Sequence, residues 1–425
     1  MNSACQIIGV LDNGIEGISP QALHAIRVAD VLIGGTRTLL LFNKEFRVGS
    51  EQLDLTGKLA QIPEWIQSNL AMNKRVVVLA TGDPLCHGIA SYIVKKVGRE
   101  KCEIIPNVST IQLACARLGV PFQDLQIISV HSKDAGEWFK NAGPEHGLYP
   151  LLQGVTRFEN IAVFTSPDNS PDRIARMLKT EGFADHLTLS VAENLLEDGE
   201  RIIHDLNVSD AVNMQFARPN VVIIKRTQSM VPKSLFGLKD EEYLQRKPEK
   251  GLITKREVRA VSLAHMQLAS NSIVWDIGAG SGSIGLEAAR LCVEGHVYAI
   301  EKNEADFLIA DQNRSQQQIK NYSLFNAKAP DGLDGWPDPD AIFIGGSGGE
   351  LANLIKLCTQ RLKNKGCLVM NFVTLENIST AIETLKTLDL DWYVTSVNVS
   401  RSQPILHMHR LAAENPVTII TAEKI

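Results

Sequence analysis

An α/β protein of more than one domain is what this sequence predicts, and three observations carry that expectation. The chain has 425 residues, too many for one hydrophobic core of ordinary size. Short β-branched runs alternate with amphipathic segments along most of its length, the pattern of strands joined by helices over a mostly parallel sheet. A glycine-rich turn, "WDIGAGSGSIGLEAA" at 275–289, links an apolar strand to a helix but stands far along the chain. The expected architecture is therefore a two-lobed α/β front part followed by a Rossmann-like domain.

The front part opens with the strand "CQIIGV" (5–10) and the helix "SPQALHAIRVAD", in which Ser19 is placed to cap and Pro20 fills the first helical position. The runs "DVLIGG" (30–35), "RVVVLATGDP" (75–84), "CEIIPNVS" (102–109) and "QIISVHS" (126–132) follow as strands with helical segments between several of them. Residues 133–156 carry glycines and prolines and read as a long loop. A second group comes next, with the strand "NIAVF", the helix "SPDRIARMLKTEGF" (170–183), then "LTLSVAEN", "ERIIHDL" and "NVVIIKR" (220–226). We divide the front part, 1–230, into two lobes at that loop.

From Thr227 to Gly251 the alternation stops, and "KDEEYLQRKPEKG" is charged and weakly apolar, so 231–250 reads as a linker. The segment 251–425 resumes with a helix, the strand "SIVWDI", a helix, "HVYAIEKN", a helix, "DAIFIGG", a helix, "GCLVMNFVT", a helix, and closing strands near 392–400 and 416–422. This is the order of a doubly wound sheet.

Composition limits the function classes. A net charge of −5 argues against a protein that grips nucleic acid mainly through phosphates. The seven cysteines, Cys5, Cys86, Cys102, Cys115, Cys292, Cys358 and Cys367, include no CxxC pair, so neither a metal site nor a disulfide framework is expected. "MNSACQIIGV" enters a strand directly and no later run has the length of a membrane span, so a cytoplasmic protein is expected.

The late turn carries the clearest chemistry. Gly278, Gly280 and Gly282 give GxGxG, where the backbone must turn sharply and present helix-start amides with no side chain in the way. A dinucleotide fingerprint asks for GxGxxG, and its third position here is Ser283. Two carboxylates fit another ligand. Glu301 ends the next strand and can accept both hydroxyls of a ribose, while Asp276 precedes the turn and can face a cationic amino acid end. A nicotinamide site and a turn that merely packs are the competing readings. The constellation resembles the methyltransferases that bind S-adenosylmethionine on a Rossmann-like sheet.

The stretches "GLITKREVRA" (251–260), "NAKAPDGL" (326–333), "DAIFIGGSGGEL" (340–351), "NFVTLEN" (371–377) and "NPVTIITA" (415–422) resemble, in the same order, class I precorrin methyltransferases acting on carbon 15. That resemblance implies cofactor contacts at Asp276, Gly278, Gly280, Gly282, Glu301 and Ala327. It also implies substrate contacts among Thr254, Lys255, Arg256, Gly345, Gly346, Ser347, Asn371 and Arg401. A tetrapyrrole bears many carboxylates, which makes Lys255, Arg256, Arg401, His407, His409 and Arg410 candidate cations.

"IIGVLDNGIEGISPQALHAIRVADVLIGGTRTL", "VVVLATGDPLCHGIA", "PNVSTIQLACARLGVPFQDLQIISVHSKD" and "FTSPDNSPDRIARML" resemble tetrapyrrole methylases, in the branch acting on carbon 5. Those enzymes hold a second S-adenosylmethionine between two α/β lobes, which points to Gly9, Gly82, Asp83, Ser109 and Thr110. Capping the helix that follows is the alternative role for Asp83, and for Ser109 and Thr110 capping and ligand contact are both open. The loop "GVLDNG" departs from the GxGPGD common in that family, and Cys86 and His87 stand where aromatic or leucine residues are usual.

Both resemblances on one chain are those of the fused precorrin C(5,15)-methyltransferases that also remove the carbon-12 acetate carboxyl. They imply two S-adenosylmethionine sites, one per domain, a tetrapyrrole substrate, no side-chain nucleophile, and assembly as a homo-oligomer. An RNA methyltransferase, or a front domain that only binds tetrapyrrole, are the alternatives. The Asn-Pro-Pro-aromatic tetrad of base-modifying enzymes is missing after the fourth strand of the late domain.

Overall fold

The computed structural model describes residues 4–131, 134–140, 142–229, 234–246 and 253–424. They form two compact units, one of 1–140 with 146–229, the other of 141–145 with 230–425.

The first unit contains two sheets. Strands β1 (Cys5–Val10), β2 (Val31–Gly34), β3 (Glu51–Asp54), β4 (Val76–Thr81) and β5 (Cys102–Ile105) pair in the order β3-β2-β4-β1-β5, all parallel. The apolar runs of β1, β2 and β4 are explained by cores on both faces, one around Ile7, Val78 and Ile93, the other around Ile8, Ile26 and Leu79. The helix Pro20–Val28 starts as its sequence requires, Ser19 accepting a hydrogen bond from the Ala22 amide with Pro20 at the first position.

Strands β6 (Gln126–Ser129), β7 (Asn160–Phe164), β8 (Leu187–Glu193), β9 (Arg201–Asn207) and β10 (Asn220–Arg226) form the second sheet, ordered β6-β7-β10-β8-β9. Only β6 and β7 run parallel, so the expectation of a mostly parallel sheet fails for this lobe. Few helices separate its last strands, and short connections favour antiparallel pairing. The stretch 133–156 is likewise not one loop. Its end is the helix Tyr149–Arg157, with Pro150 in the first turn and Leu151, Leu152 and Val155 buried. A Cβ on Gly154 would lie 2.1 Å from Ile128 Cδ1, so this glycine lets the helix lie close on β6.

The second unit is built on β11 (Ile273–Ile277), β12 (His296–Glu301), β13 (Tyr322–Asn326), β14 (Ala341–Ile344), β15 (Cys367–Phe372), β16 (Asp391–Val397), β17 (Ser400–Ile405), β18 (Met408–Ala413) and β19 (Val417–Glu423). Seven of them form a sheet ordered β13-β12-β11-β14-β15-β19-β16, with β19 antiparallel to both neighbours. The order reverses between β11 and β14, which opens a crevice at the carboxyl ends of those strands. The closing strands read from sequence correspond to β16 and β19. The hairpin β17–β18 between them was not foreseen, because nearly all of its side chains are exposed and its sequence lacks a buried alternation.

The described part of the supposed linker, 234–246, is packed against this unit. Leu238 and Tyr243 join the core around Val258, Val274 and Leu286. Its charges mislead because they are paired indoors. Glu287, fully buried on the helix Ser283–Leu291, accepts from the amides of Gly237 and Leu238 and from Tyr243 Oη. It also pairs with the buried Arg259 at 2.7 Å, and Arg259 reaches Asp240 at 3.3 Å. The other residues of 231–250 lie outside the described set, apart from this segment.

Candidate active sites

In the second unit the predicted glycine turn sits at the crevice. Gly278, Gly280 and Gly282 all have positive φ, at 72°, 56° and 77°. A Cβ on Gly278 would meet Gly346 N and O at 2.7 Å, so the turn after β11 and the loop after β14 touch backbone to backbone. A fourth glycine does the work that a dinucleotide fingerprint gives its third. Gly285 lies on the following helix, and a Cβ there would fall 2.4 Å from Asp276 Oδ2 and 2.6 Å from the Tyr322 ring. Its signal was in the sequence, since 278–285 reads GxGxGxxG.

These backbones wall a cavity of about 370 Å³, within the range of small-molecule sites. Gly278, Gly280, Glu301, Ala327, Gly345, Gly346 and Ser347, all singled out in the sequence, line it. Glu301 is held by two amides, Oε2 accepting from Gly280 at 2.9 Å and Oε1 from Asn303 at 2.8 Å. A carboxylate fixed in this way keeps its remaining lone pairs for a vicinal diol at the cavity wall.

Asp276 sits beneath the turn rather than on the wall. Its Oδ2 accepts from the Gly285 amide at 3.1 Å, while buried Oδ1 and the nearby buried Tyr322 hydroxyl have no hydrogen-bond partner. Burial pushes its carboxyl up to about 7, and the Glu301 charge adds to the shift. Its direct contact with a cationic ligand end is therefore not what the geometry favours; it braces the helix start, with one acceptor still to be satisfied.

The expected substrate cations fare differently. Arg401, on β17, is neutralised by Asp240 at 2.8 Å and by Glu257, and these partners hold its guanidinium more firmly charged than usual. Arg256 is exposed, 3.9 Å from Glu257, and its amide donates to Asp240. Asn371 is bound to Ser262 Oγ at 2.8 Å. Thr254 and Lys255 begin the helix Arg256–His265, their carbonyls accepting from Arg259, and none of these five residues lines the cavity. His407, His409 and Arg410 are exposed on the β17–β18 hairpin. The cations on the wall are Arg246, Lys302 and Lys328, which sequence reasoning missed. Lys328 lies inside the stretch "NAKAPDGL" and Lys302 directly follows Glu301, but neither was singled out as a cation there, and the supposed linker supplies Arg246.

In the first unit the predicted residues converge at the carboxyl ends of β1, β4 and β5. A Cβ on Gly9 would lie 2.4 Å from Gly82 O and 2.8 Å from Asn107, and Gly82, at φ 70°, donates its amide to Val10 O. Asp83 Oδ1 accepts from the Leu85 amide at 2.8 Å, closing its own turn. Ser109 forms a capping box with Gln112 at the start of the helix Thr110–Leu118. Thr110 lies beside Gly82, its amide 3.3 Å from the position a Cβ would take there. Asn107 was missed: Nδ2 donates to Gly9 O at 3.1 Å and Gly17 O at 2.7 Å, tying the three loops together. Next to them Arg37 bridges Asp12 at 2.9 Å and Glu197 at 2.7 Å, joining the two lobes of this unit. Burial pushes the Asp12 carboxyl up, partly offset by Arg37.

Residues 5–207 match the family of tetrapyrrole (corrin/porphyrin) methylases, and residues 248–424 match the precorrin methyltransferase domain. A precorrin-6Y C(5,15)-methyltransferase [decarboxylating] of Sinorhizobium is 28% identical over 424 residues, 97% of this chain and 94% of the relative. A probable cobalt-precorrin-6B C(15)-methyltransferase (decarboxylating) of Pyrobaculum calidifontis is 37% identical over 188 residues, 44% of this chain and 95% of the relative. A cobalt-precorrin-7 C(5)-methyltransferase of Salmonella typhimurium is 33% identical over 218 residues, 51% of this chain and 97% of the relative.

Proposed function

This chain belongs to the tetrapyrrole methylase and precorrin methyltransferase families, and on that premise we propose that it methylates a precorrin-6-type macrocycle at carbons 5 and 15. It is an S-adenosylmethionine-dependent C-methyltransferase of corrin-ring biosynthesis, and the second unit also releases the carbon-12 acetate carboxyl as carbon dioxide. The observation that carries the reading is the pairing, on one chain, of a fixed Glu301 beside a side-chain-free glycine turn with the Gly9–Gly82–Asn107 convergence in a unit of different topology.

S-adenosylmethionine, when bound, supplies an electrophilic methyl on a sulfonium. Two sites hold it, one per unit. In the second unit Glu301 takes the ribose hydroxyls, the turn 278–282 leaves room for the amino acid end, and Ala327 borders the base. In the first, Gly9, Gly82 and Thr110 leave the backbone bare at the strand ends, while Asp83 and Ser109 keep that backbone in shape.

The electron-rich macrocycle is the nucleophile, so the protein's task is alignment and exclusion of water. The electrons released by decarboxylation pass into the conjugated pyrroles. Gly345, Gly346 and Ser347 border the space where the reacting carbon has to lie. The protein acts in the cytoplasm, without nucleic acid, as a homo-oligomer. Seven free thiols support a reducing compartment, the acidic balance speaks against phosphate binding, and exposed Leu406, Met408 and Leu411 on the hairpin support self-association.

Mass spectrometry of the product after incubation with S-adenosylmethionine and a precorrin-6-type substrate, with and without cobalt, tests the proposal. Two added methyl groups and one lost carbon dioxide are expected. One added methyl would make the first unit a binder, and no change on either substrate would refute the tetrapyrrole assignment.

A further inference from the structure

We infer that Lys302 and Lys328, which converge over Gly348 in the glycine-rich loop 345–349, form a subsite for a side-chain carboxylate of the macrocycle. The inference rests on the tetrapyrrole reading above and names the part of the cavity that recognises the substrate's charge.

Three cations line the cavity, and they are not equivalent. Arg246 is spent on Asp306, itself a wall residue. Lys328 pairs with Glu350 at 2.6 Å, but both side chains are nearly half exposed, so the pair is weak and open to exchange. Lys302 is exposed and forms no ion pair among the described residues. Both lysines converge on one place, Lys302 Nζ lying 3.6 Å and Lys328 Cε 3.3 Å from the position a Cβ would take on Gly348. Around it the loop carries no bulk. A Cβ on Gly346 or Gly349 would meet nothing within 4 Å, so an anion can approach unscreened.

The position of Glu301 decides whose anion this is. Lys302 follows directly after the carboxylate assigned to the ribose, whereas the only carboxylate of S-adenosylmethionine lies at its amino acid end, by the turn 278–282. Two cations on the ribose side therefore answer to a different molecule. A flexible ammonium is suited to this, being a point charge that tolerates a carboxylate in several orientations. On binding, the substrate carboxylate takes the place of Glu350 at Lys328 and supplies Lys302 with its first partner.

The test uses the full chain, with the tetrapyrrole titrated by its absorption and S-adenosylmethionine by calorimetry. Lys302→Gln is expected to weaken tetrapyrrole binding roughly fivefold, and Lys302→Glu by at least roughly tenfold, as befits a partly exposed charge pair. Cofactor affinity should stay within about twofold, and added salt should shrink the difference between wild type and variant. Glu350→Gln should tighten tetrapyrrole binding, because it removes the competing anion. A loss of cofactor affinity with tetrapyrrole binding intact would overturn the inference by giving Lys302 to the cofactor. Unchanged binding of both by variants, in an enzyme whose wild type methylates the macrocycle, would overturn the subsite and leave the function standing. A wild type that neither binds nor methylates tetrapyrrole would overturn both.

Discussion

Glu301 Oε2 accepts the Gly280 amide at 2.9 Å, so the carboxylate on β12 and the turn after β11 form one rigid wall before any ligand arrives. Replacing Glu301 with Ala removes the proposed ribose acceptor and frees that amide. S-adenosylmethionine should bind the second unit roughly tenfold to a hundredfold more weakly, from the loss of charge-assisted hydrogen bonds. Calorimetry on the full chain should show two sites per chain falling toward one. Unchanged stoichiometry and affinity would remove Glu301 from the cofactor site.

Arg259 and Glu287 are both fully buried and meet at 2.7 Å. Arg259→Met leaves Glu287 without its counter-charge and should destabilise the second unit by about 3–5 kcal/mol. Hydrogen exchange of the amides in the helix Ser283–Leu291 of the full chain reports the loss locally, and Arg259→Met with Glu287→Gln should recover part of it. Protection equal to wild type in the single variant would contradict this account of the segment 234–246.

Asp276 couples stability to pH. Its folded carboxyl is raised to about 7 by burial, against about 4 unfolded, so the folded state holds a proton that the unfolded chain releases. Stability from this group is present below about pH 4 and is lost as pH rises through about 7. Asp276→Asn should flatten that slope in thermal denaturation measured across the window. An unchanged slope would show that Asp276 stays ionised.

His296 acts in the opposite direction. It is buried beside Ser323 at 2.8 Å, and burial depresses its ring to about 3 against about 6.5 unfolded. Its contribution is complete above about pH 6.5 and is lost as pH falls toward 3. Replacing His296 with Leu should weaken the acid-induced loss of the second unit, read by the near-ultraviolet signal of Trp275 and Trp336. A variant as acid-sensitive as wild type would put the acid transition elsewhere.

The strand, turn and helix around 275–289 and the glycine and carboxylate part of that cavity wall were legible because they rest on backbone geometry, which glycines and a strand-end carboxylate report directly. Gly285 was legible too, since Gly280, Gly282 and Gly285 read GxGxxG once the pattern is counted from Gly280 rather than from Gly278. Lys302, Lys328 and Arg246 were not, since a cation's place on a wall depends on which strand ends the sheet brings together. Segment 234–246 misled for a related reason: charge in a sequence reads as solvation, and Asp240 and Glu287 show it satisfied indoors. Arg401 was foreseen as a substrate ligand because its two carboxylate partners, Asp240 and Glu257, are distant in sequence.

The central claim is that each unit performs one methyl transfer. Gly9→Val and Gly278→Val place side chains where the backbone of Gly82 and of Gly346 already lies, at 2.4 Å and 2.7 Å, and each should close one site alone. Product mass spectrometry of the two full-length variants decides it. The account predicts that Gly9→Val yields one methyl with loss of carbon dioxide, and that Gly278→Val yields at most one methyl with the carboxyl retained. Two methyl groups added by either variant, or loss of carbon dioxide in Gly278→Val, would contradict it.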